Sequence, residues 1–369
     1  MLDATKSNTG FVILFVLLAT TFFWISCDDD DDDTTSPATE VAFIVSTDFQ
    51  TGSFTTISLE PPRTVTEDIG DICSDAIARY FNDFIYVVGR FNCDSIQVYD
   101  PDLNYALRNE YSVGAGTNPQ DIAVINSQQA YISRLLASSL LLVDPATGQQ
   151  QSEIDLSAYA DSDGYPEMYL MFYLAEYNYL FIALQRLNTT TWTNEAPSYV
   201  IVIDTLTAAI KKAIPLQNLN PFTDFLYAPG PKKLYIGCSG AWGVPDGGID
   251  IIDIDTLTVT GECITETELG GDILDFALHS ADLGYALIAD SNFITKVFAF
   301  NPTSGERGTM LLESSGYDLV RLAINDRQEL WILDRTPAAP AIHIFNSADK
   351  SLIEKIALSG LPPFWILFL

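Results

Sequence analysis

The chain has 369 residues, with 49 acidic against 18 basic side chains, a formal net charge of −31 and an apolar share of 48%. So acidic a surface excludes nucleic acid as a partner, because phosphate binding needs a basic face, and it disfavours adhesion of the bulk surface to an anionic membrane. Two histidines exclude a histidine-rich copper or haem centre, and no Gly-x-Ser-x-Gly elbow, phosphate loop or His-Glu-x-x-His motif occurs.

From the N-terminus, Phe11 to Ser26 is an uncharged run of 16 residues, ending at Cys27 and followed by six aspartates, Asp28 to Asp33. The run is shorter than the roughly 20 residues that span a bilayer. An apolar core that ends in a small residue and a cysteine resembles a bacterial lipoprotein signal. The resemblance implies cleavage after residue 26 and acylation of Cys27 with palmitate-type chains as the membrane attachment, several chains being needed for stable anchoring. An uncleaved membrane anchor is the alternative, and both place the remaining chain in the cell envelope, on the periplasmic or cell-surface side. Residues 27–40 are expected to form a solvated acidic tether. Consecutive aspartates lack the spaced carbonyls and glycine turn of a calcium loop.

From Val41 onward a turn signature recurs: Asp100-Pro101, Asp144-Pro145, Asp204-Thr205, Asp255-Thr256, Asn301-Pro302 and Asn346-Ser347. Each closes an alternating apolar run, and successive signatures are 44, 60, 51, 46 and 45 residues apart. Four short strands and three tight turns consume roughly 40 to 45 residues, so the period denotes one small sheet per repeat. A sheet with two apolar faces buries both by packing between neighbours in a closed ring.

A second element fixes the number of repeats. Apolar segments with an acid near the start contain Asp75, Asp121, Glu167, Asp224 and Asp275, and they continue without the acid at residues 320–324 and 363–367. These seven are predicted to be innermost strands. The seventh lies at the C-terminus with no strands after it, while residues 41–46, 53–59 and 63–68 read as three strands with no innermost strand before them. The spacing therefore predicts an all-β, seven-bladed β-propeller of four-stranded antiparallel blades over residues 41–369, closed by pairing of residues 361–369 with the strand at Val41.

Two units carry a family likeness. Residues 199–207, Tyr-Val-Ile-Val-Ile-Asp-Thr-Leu-Thr, and residues 248–258, Gly-Ile-Asp-Ile-Ile-Asp-Ile-Asp-Thr-Leu-Thr, resemble the YVTN-type repeats of bacterial seven-bladed propellers. The resemblance extends over residues 41–369 as a repeat pattern. It implies the fold, and a secreted or surface-exposed binding role for which lactonase-like and lyase-like propellers are the enzymatic counterparts.

Apart from Cys27, four cysteines remain. Cys73, at the start of an innermost strand, and Cys93, in the loop after the next strand, fall on one rim and form a credible disulfide. Cys238 and Cys263 are a second candidate pair, although a strand of the same blade separates them; free thiols are the alternative.

The same rim gathers the candidate site. Asp75, Asp121, Glu167, Asp224 and Asp275 are expected to face one end of the central channel, with Arg90, Arg134, Arg186, Arg335 and Asp290 just outside. Mixed charge there orients a polar ligand, or the acids hold a divalent cation such as Ca²⁺ through oxygen; hydrogen bonding to loop amides and mutual neutralisation are the structural alternative. Long loops bearing Trp192 and Trp242 add a recognition surface for protein, glycan or a small polar ligand. Two functions follow. One is an anchored binding propeller, and the other is a lactonase-like hydrolase or lyase that uses a channel cation. For the anchor, labelled palmitate fed to a bacterium expressing the full chain is expected to label the protein, and Cys27→Ser to abolish the label; equal labelling of the variant would contradict acylation at Cys27.

Overall fold

The computed structural model describes residues 40–369; Cys27, the apolar run and the aspartates lie outside the described residues. Seven four-stranded antiparallel sheets follow one another as the blades of a β-propeller. The innermost strands are Ala76–Phe81, Pro119–Asn126, Met168–Leu174, Pro221–Ala228, Asp272–Ser280, Leu319–Ile324 and Pro363–Phe368. We number the blades 1 to 7 in that order.

Packing explains the composition of each strand. Second and third strands have neighbours on both faces, so Ile201, Val202 and Ile203 in blade 3 are all fully buried, as are Leu330, Trp331 and Ile332 in blade 6. Such strands read as unbroken apolar runs. Outermost strands have one solvated face and a free edge; Gln150–Asp155 of blade 2 is accordingly exposed and polar, and Ala209–Pro215 of blade 3 is mostly exposed with Lys211 and Lys212 at its centre. Charge on an edge strand blocks pairing with another chain.

The recurring Asp or Asn caps the turn between third and fourth strands. Its side-chain oxygen accepts the backbone N–H two residues on at Asp100, Asp144, Asp204, Asn301 and Asn346, at 2.8–3.1 Å. Such Asx turns mimic a backbone turn and suit short polar side chains. Blade 4 departs from the expected spacing. There the strand ends at Asp253, which accepts from Thr256 N at 2.9 Å, while Asp255 pairs with Lys232 at 3.0 Å. The run Asp-Ile-Asp-Thr offered two aspartates, and the earlier one turns the chain.

Closure follows the expected route. Pro363–Phe368 pairs antiparallel with Val41–Thr47, Ile44 facing Ile366 and Val45 facing Trp365, and the blade order runs from the C-terminal strand inward to the N-terminal strands outward. Trp365 is 5% exposed and donates its indole N–H to Ala78 O of blade 1 at 3.0 Å. The joint thus fastens blade 7 to its neighbour as well as to itself.

Cys73 and Cys93 form a disulfide with a Cα separation of 6.2 Å. It passes over Gly89, where an added Cβ would lie 3.0 Å from the Cβ of Cys93 and 3.1 Å from that of Cys73. Cys238 and Cys263 are free and buried, correcting the expectation of a second bridge. They occupy the second and fourth strands of blade 4, with Gly248–Asp253 between them, and two strand spacings exceed disulfide reach. Burial pushes the Cys263 thiol up to about 12.

Deleting residues 361–369 removes an innermost strand and leaves Phe43 to Val45 facing solvent. Each large apolar side chain so exposed costs about 1.5–3 kcal/mol, against a total stability of about 5–15 kcal/mol. The truncated chain is expected to lose its cooperative thermal transition; a melting temperature equal to that of the full chain would contradict the closure.

Candidate functional site

Six of the seven innermost strands carry a register irregularity near their start, at Pro119/Asp121, Met168/Met171, Pro221/Phe225, Ile273/Asp275, Leu319/Arg321 and opposite Val45/Ser46. A bulge re-aims a side chain that a regular pleat would direct into the blade. The residues displaced in this way are Gln120, Tyr169, Phe222, Leu274, Val320 and Phe364, and all six line a cavity of about 340 Å³ at the mouth of the channel. Blade 1 has a regular innermost strand; Asp75 and Arg90 are its residues on the cavity wall, and Arg79 lies below them.

Below the mouth, the axis is crossed by an ionic chain. The Arg79 guanidinium donates Nε to Asp121 Oδ1 at 2.7 Å and Nη2 to Asp121 Oδ2 at 2.8 Å, and Nη2 also reaches Asp224 Oδ1 at 2.7 Å. Arg321 pairs with the other oxygen of Asp224, and its Nε lies 3.5 Å from Asp275 Oδ2. The Trp365 ring lies under both guanidinium groups, with its centroid 3.6 Å from that of Arg321 and 5.2 Å from that of Arg79. Cation–π contact adds to the ion pairs in such a partly desolvated setting.

The aspartates also satisfy backbone. Asp121 accepts Met171 N at 2.8 Å and Asp275 accepts Leu322 N at 2.7 Å. Both donors follow the bulge of the next blade, so these carboxylates satisfy amides in an interior where an unpaired N–H is expensive. Burial pushes Asp121 up and Asp275 up to about 6, with their arginine partners opposing. Burial also pushes Asp224 upward, but Arg79 and Arg321 together outweigh it and hold the carboxyl below the ordinary value.

The mouth itself is aromatic with a polar fork. Tyr169 and Phe222 stack at 5.7 Å, and Trp242 meets Phe222 edge-on at 5.3 Å. Trp192, at the tip of the hairpin Leu187–Asn188/Thr193–Asn194, is 68% exposed. Arg90 donates Nε and Nη2 to Asp75 Oδ1 at 2.9 and 2.5 Å, with Gln120 Oε1 at 3.5 Å. Asn118 and Gln185 complete the polar lining.

The five acids expected at one level occupy three settings. Asp75 and Glu167 precede their strands, each giving its carbonyl to the second strand, Asp75 to Arg90 N and Glu167 to Gln185 N. Asp121, Asp224 and Asp275 lie several residues further in, beside the two arginines. Glu167 turns from the axis toward Asp161 and Asp163, the ligand atoms of all three within 4.8 Å of one another. Burial and then these two neighbours push its carboxyl up to about 10.

The other expected residues do not join the channel. Arg134 binds Val113 O and Glu153, Arg186 binds Pro197 O, Arg335 binds Thr47 O, and Asp290 pairs with Lys296. All four engage these local partners, whereas Arg90, at the equivalent position after the second strand of blade 1, reaches the mouth. Arg79 was not anticipated as a channel residue. Its signal was a lone arginine inside the apolar run Ala76-Ile-Ala-Arg-Tyr, and Arg321 likewise stands where other blades carry an acid.

No protein-family model and no curated protein matches the chain. Among solved structures, it is similar to a putative 6-phosphogluconolactonase from Bacteroides fragilis, at 13% identity and a TM-score of 0.62, covering 92% of this chain and 100% of that one. A putative 6-phosphogluconolactonase from Bacteroides uniformis aligns with the same identity and TM-score over 89% of this chain and 99% of that one. Dihydro-heme d1 dehydrogenase in complex with DHE aligns at 13% identity and a TM-score of 0.58, over 89% of this chain and 74% of that one. At such identities the likeness is one of propeller fold.

Replacing one guanidinium strands the carboxylates around it. Arg79→Met is expected to lower unfolding free energy in urea by about 3–5 kcal/mol, the typical cost of breaking a buried pair by removing one partner. A change within about 0.5 kcal/mol would show that the ionic chain contributes no net stability.

Proposed function

We propose that the protein is a lipid-anchored binding propeller of the cell envelope that takes a neutral saccharide-like ligand at the aromatic mouth of its channel. The observation that carries this reading is the division of labour along the axis. The channel carboxylates Asp121, Asp224 and Asp275 are engaged by Arg79 and Arg321, whereas the mouth above them presents tryptophan and tyrosine faces with one self-neutralised Arg90–Asp75 fork.

A cavity of about 340 Å³ falls in the usual range for small-ligand sites, about 300–1,000 Å³. Trp192 and Trp242 offer flat apolar faces suited to the C–H face of a pyranose, while Arg90, Asp75, Gln120 and Gln185 supply donors and acceptors for its hydroxyls. Asp75 already neutralises Arg90, and the net charge of −31 repels anions, so an uncharged polar ligand fits better than a phosphate or nucleotide. The lipoprotein-type sequence ending at Cys27 supports tethering to a membrane, with the acidic segment as spacer.

The second reading, a lactonase-like hydrolase or lyase, takes its support from the two putative 6-phosphogluconolactonases whose propellers are similar to this one. A channel cation polarising a carbonyl would need carboxylate oxygens free to coordinate it. Asp224 is instead shared between two guanidinium groups and Asp275 is held by Arg321 and Leu322 N.

Oligosaccharide binding measured by glycan array and calorimetry is expected to be detectable for the parent. Trp192→Ala combined with Trp242→Ala is expected to weaken it at least tenfold, as loss of aromatic anchors does. Lactone hydrolysis by the parent, undiminished in the double variant and without saccharide binding, would favour the enzymatic reading instead.

A further inference from the structure

The loop entering blade 3 reads Asp161-Ser-Asp-Gly-Tyr-Pro-Glu167, and none of its acids takes part in the ionic chain across the axis. It folds on itself through Asp163 N to Asp161 Oδ1 at 2.8 Å and Tyr165 N to Asp163 Oδ1 at 3.1 Å. The remaining oxygen of Asp163 accepts both Thr189 N at 2.8 Å and Thr189 Oγ1 at 2.6 Å, which ties this loop to the hairpin bearing Trp192.

Glu167 is fully buried, yet neither carboxylate oxygen has a hydrogen-bond partner; Asp161 Oδ2 is likewise buried without one. A buried carboxylate without a donor is a costly arrangement, since desolvation of a charged group is offset only by pairing or coordination. Arg186, the basic group acting on Glu167, gives its Nη1 and Nη2 to Pro197 O at 3.0 Å and Ala160 O at 3.4 Å. The orphaned oxygens therefore face other carboxylates.

Their spacing suits one ion. Oxygens bound to Ca²⁺ lie about 2.3–2.6 Å from it, so ligands on opposite sides are up to about 5 Å apart, against about 4 Å for Mg²⁺. Asp161, Asp163 and Glu167 bring their ligand atoms within 4.8 Å of one another. We infer that Asp161, Asp163 and Glu167 form a structural calcium site that joins the entry of blade 3 to the Trp192 hairpin. All the donors are hard oxygens, which favours calcium over the softer transition metals. Asp161 and Asp163 lie off the axis, so the site is separate from the channel cation considered in the sequence, and it does not depend on what the mouth binds.

The test is a thermal melt of the full-length chain with and without Ca²⁺, together with Tb³⁺ luminescence excited through nearby Tyr165. Only ions that bind the native state more tightly than the unfolded chain raise the melting temperature, and a variant lacking Asp28 to Asp33 is expected to keep the shift. Calcium at about one hundred times its dissociation constant is expected to raise the midpoint by roughly 4 °C, and to quench the Tb³⁺ signal by displacement. Glu167→Gln is expected to fold without calcium, because its oxygens make no hydrogen bond to lose, and to show neither response. Asp161→Asn is the second variant if Glu167→Gln fails to fold. No shift in the parent up to 5 mM Ca²⁺, or a shift retained in Glu167→Gln or Asp161→Asn, would overturn the site.

Discussion

The structure depends on a chain of alternating charges laid across the propeller axis: Asp121, Arg79, Asp224, Arg321 and Asp275. These come from blades 2, 1, 4, 6 and 5. Blade 7 joins through Trp365 beneath the guanidinium groups, and blade 3 through Met171 N on Asp121. Every innermost strand therefore has a bond to a common centre. A buried ionic network of this type adds less net stability than its Coulomb energy suggests, because desolvation opposes it. Its members are satisfied together only when all seven strands are in register, which ties ring closure to the bulge geometry that presents them.

This constraint separates the two ends of the site. Charge in the channel is used internally, and the bulges that present Asp121, Asp275 and Arg321 also set Gln120, Leu274 and Val320 one residue earlier, on the cavity wall above. The same backbone device thus makes a closed floor and an open bowl. Exposed aromatic rings on the Trp192 and Trp242 loops stand at the rim of that bowl. Repetition supplies the scaffold, while departures from repetition give it its distinct charged features, the regular strand that brings Arg79 inward and the loop 161–167 that gathers three acids.

Much of the fold was legible because it rests on local rules. Asx turns at fixed offsets marked blades, apolar runs marked strands packed on both faces, and an unpaired strand at each terminus forced closure. The Cys73–Cys93 bridge followed from antiparallel neighbours sharing a rim. The site was less legible because a bulge shifts facing by one residue, and nothing in a string of letters distinguishes Asp75 before its strand from Asp121 within one. Arg79 is a lone charge within an apolar run, and its partner Asp224 lies 145 residues away, a pairing that only ring closure creates. Blade 4 offered two aspartates for one turn, and only the strand register selects Asp253. Glu167 shared its sequence context with the channel acids, yet its left-handed backbone, with φ of 45°, turns it toward Asp161.

The most direct test of the central ionic chain is a double-mutant cycle between Arg321→Met and Asp224→Asn, read by urea unfolding. Residues that share one buried network are non-additive, and a coupling free energy above about 1 kcal/mol is predicted. Additivity within about 0.5 kcal/mol, the behaviour of independent sites, would mean that the blades are not held through a common charged centre.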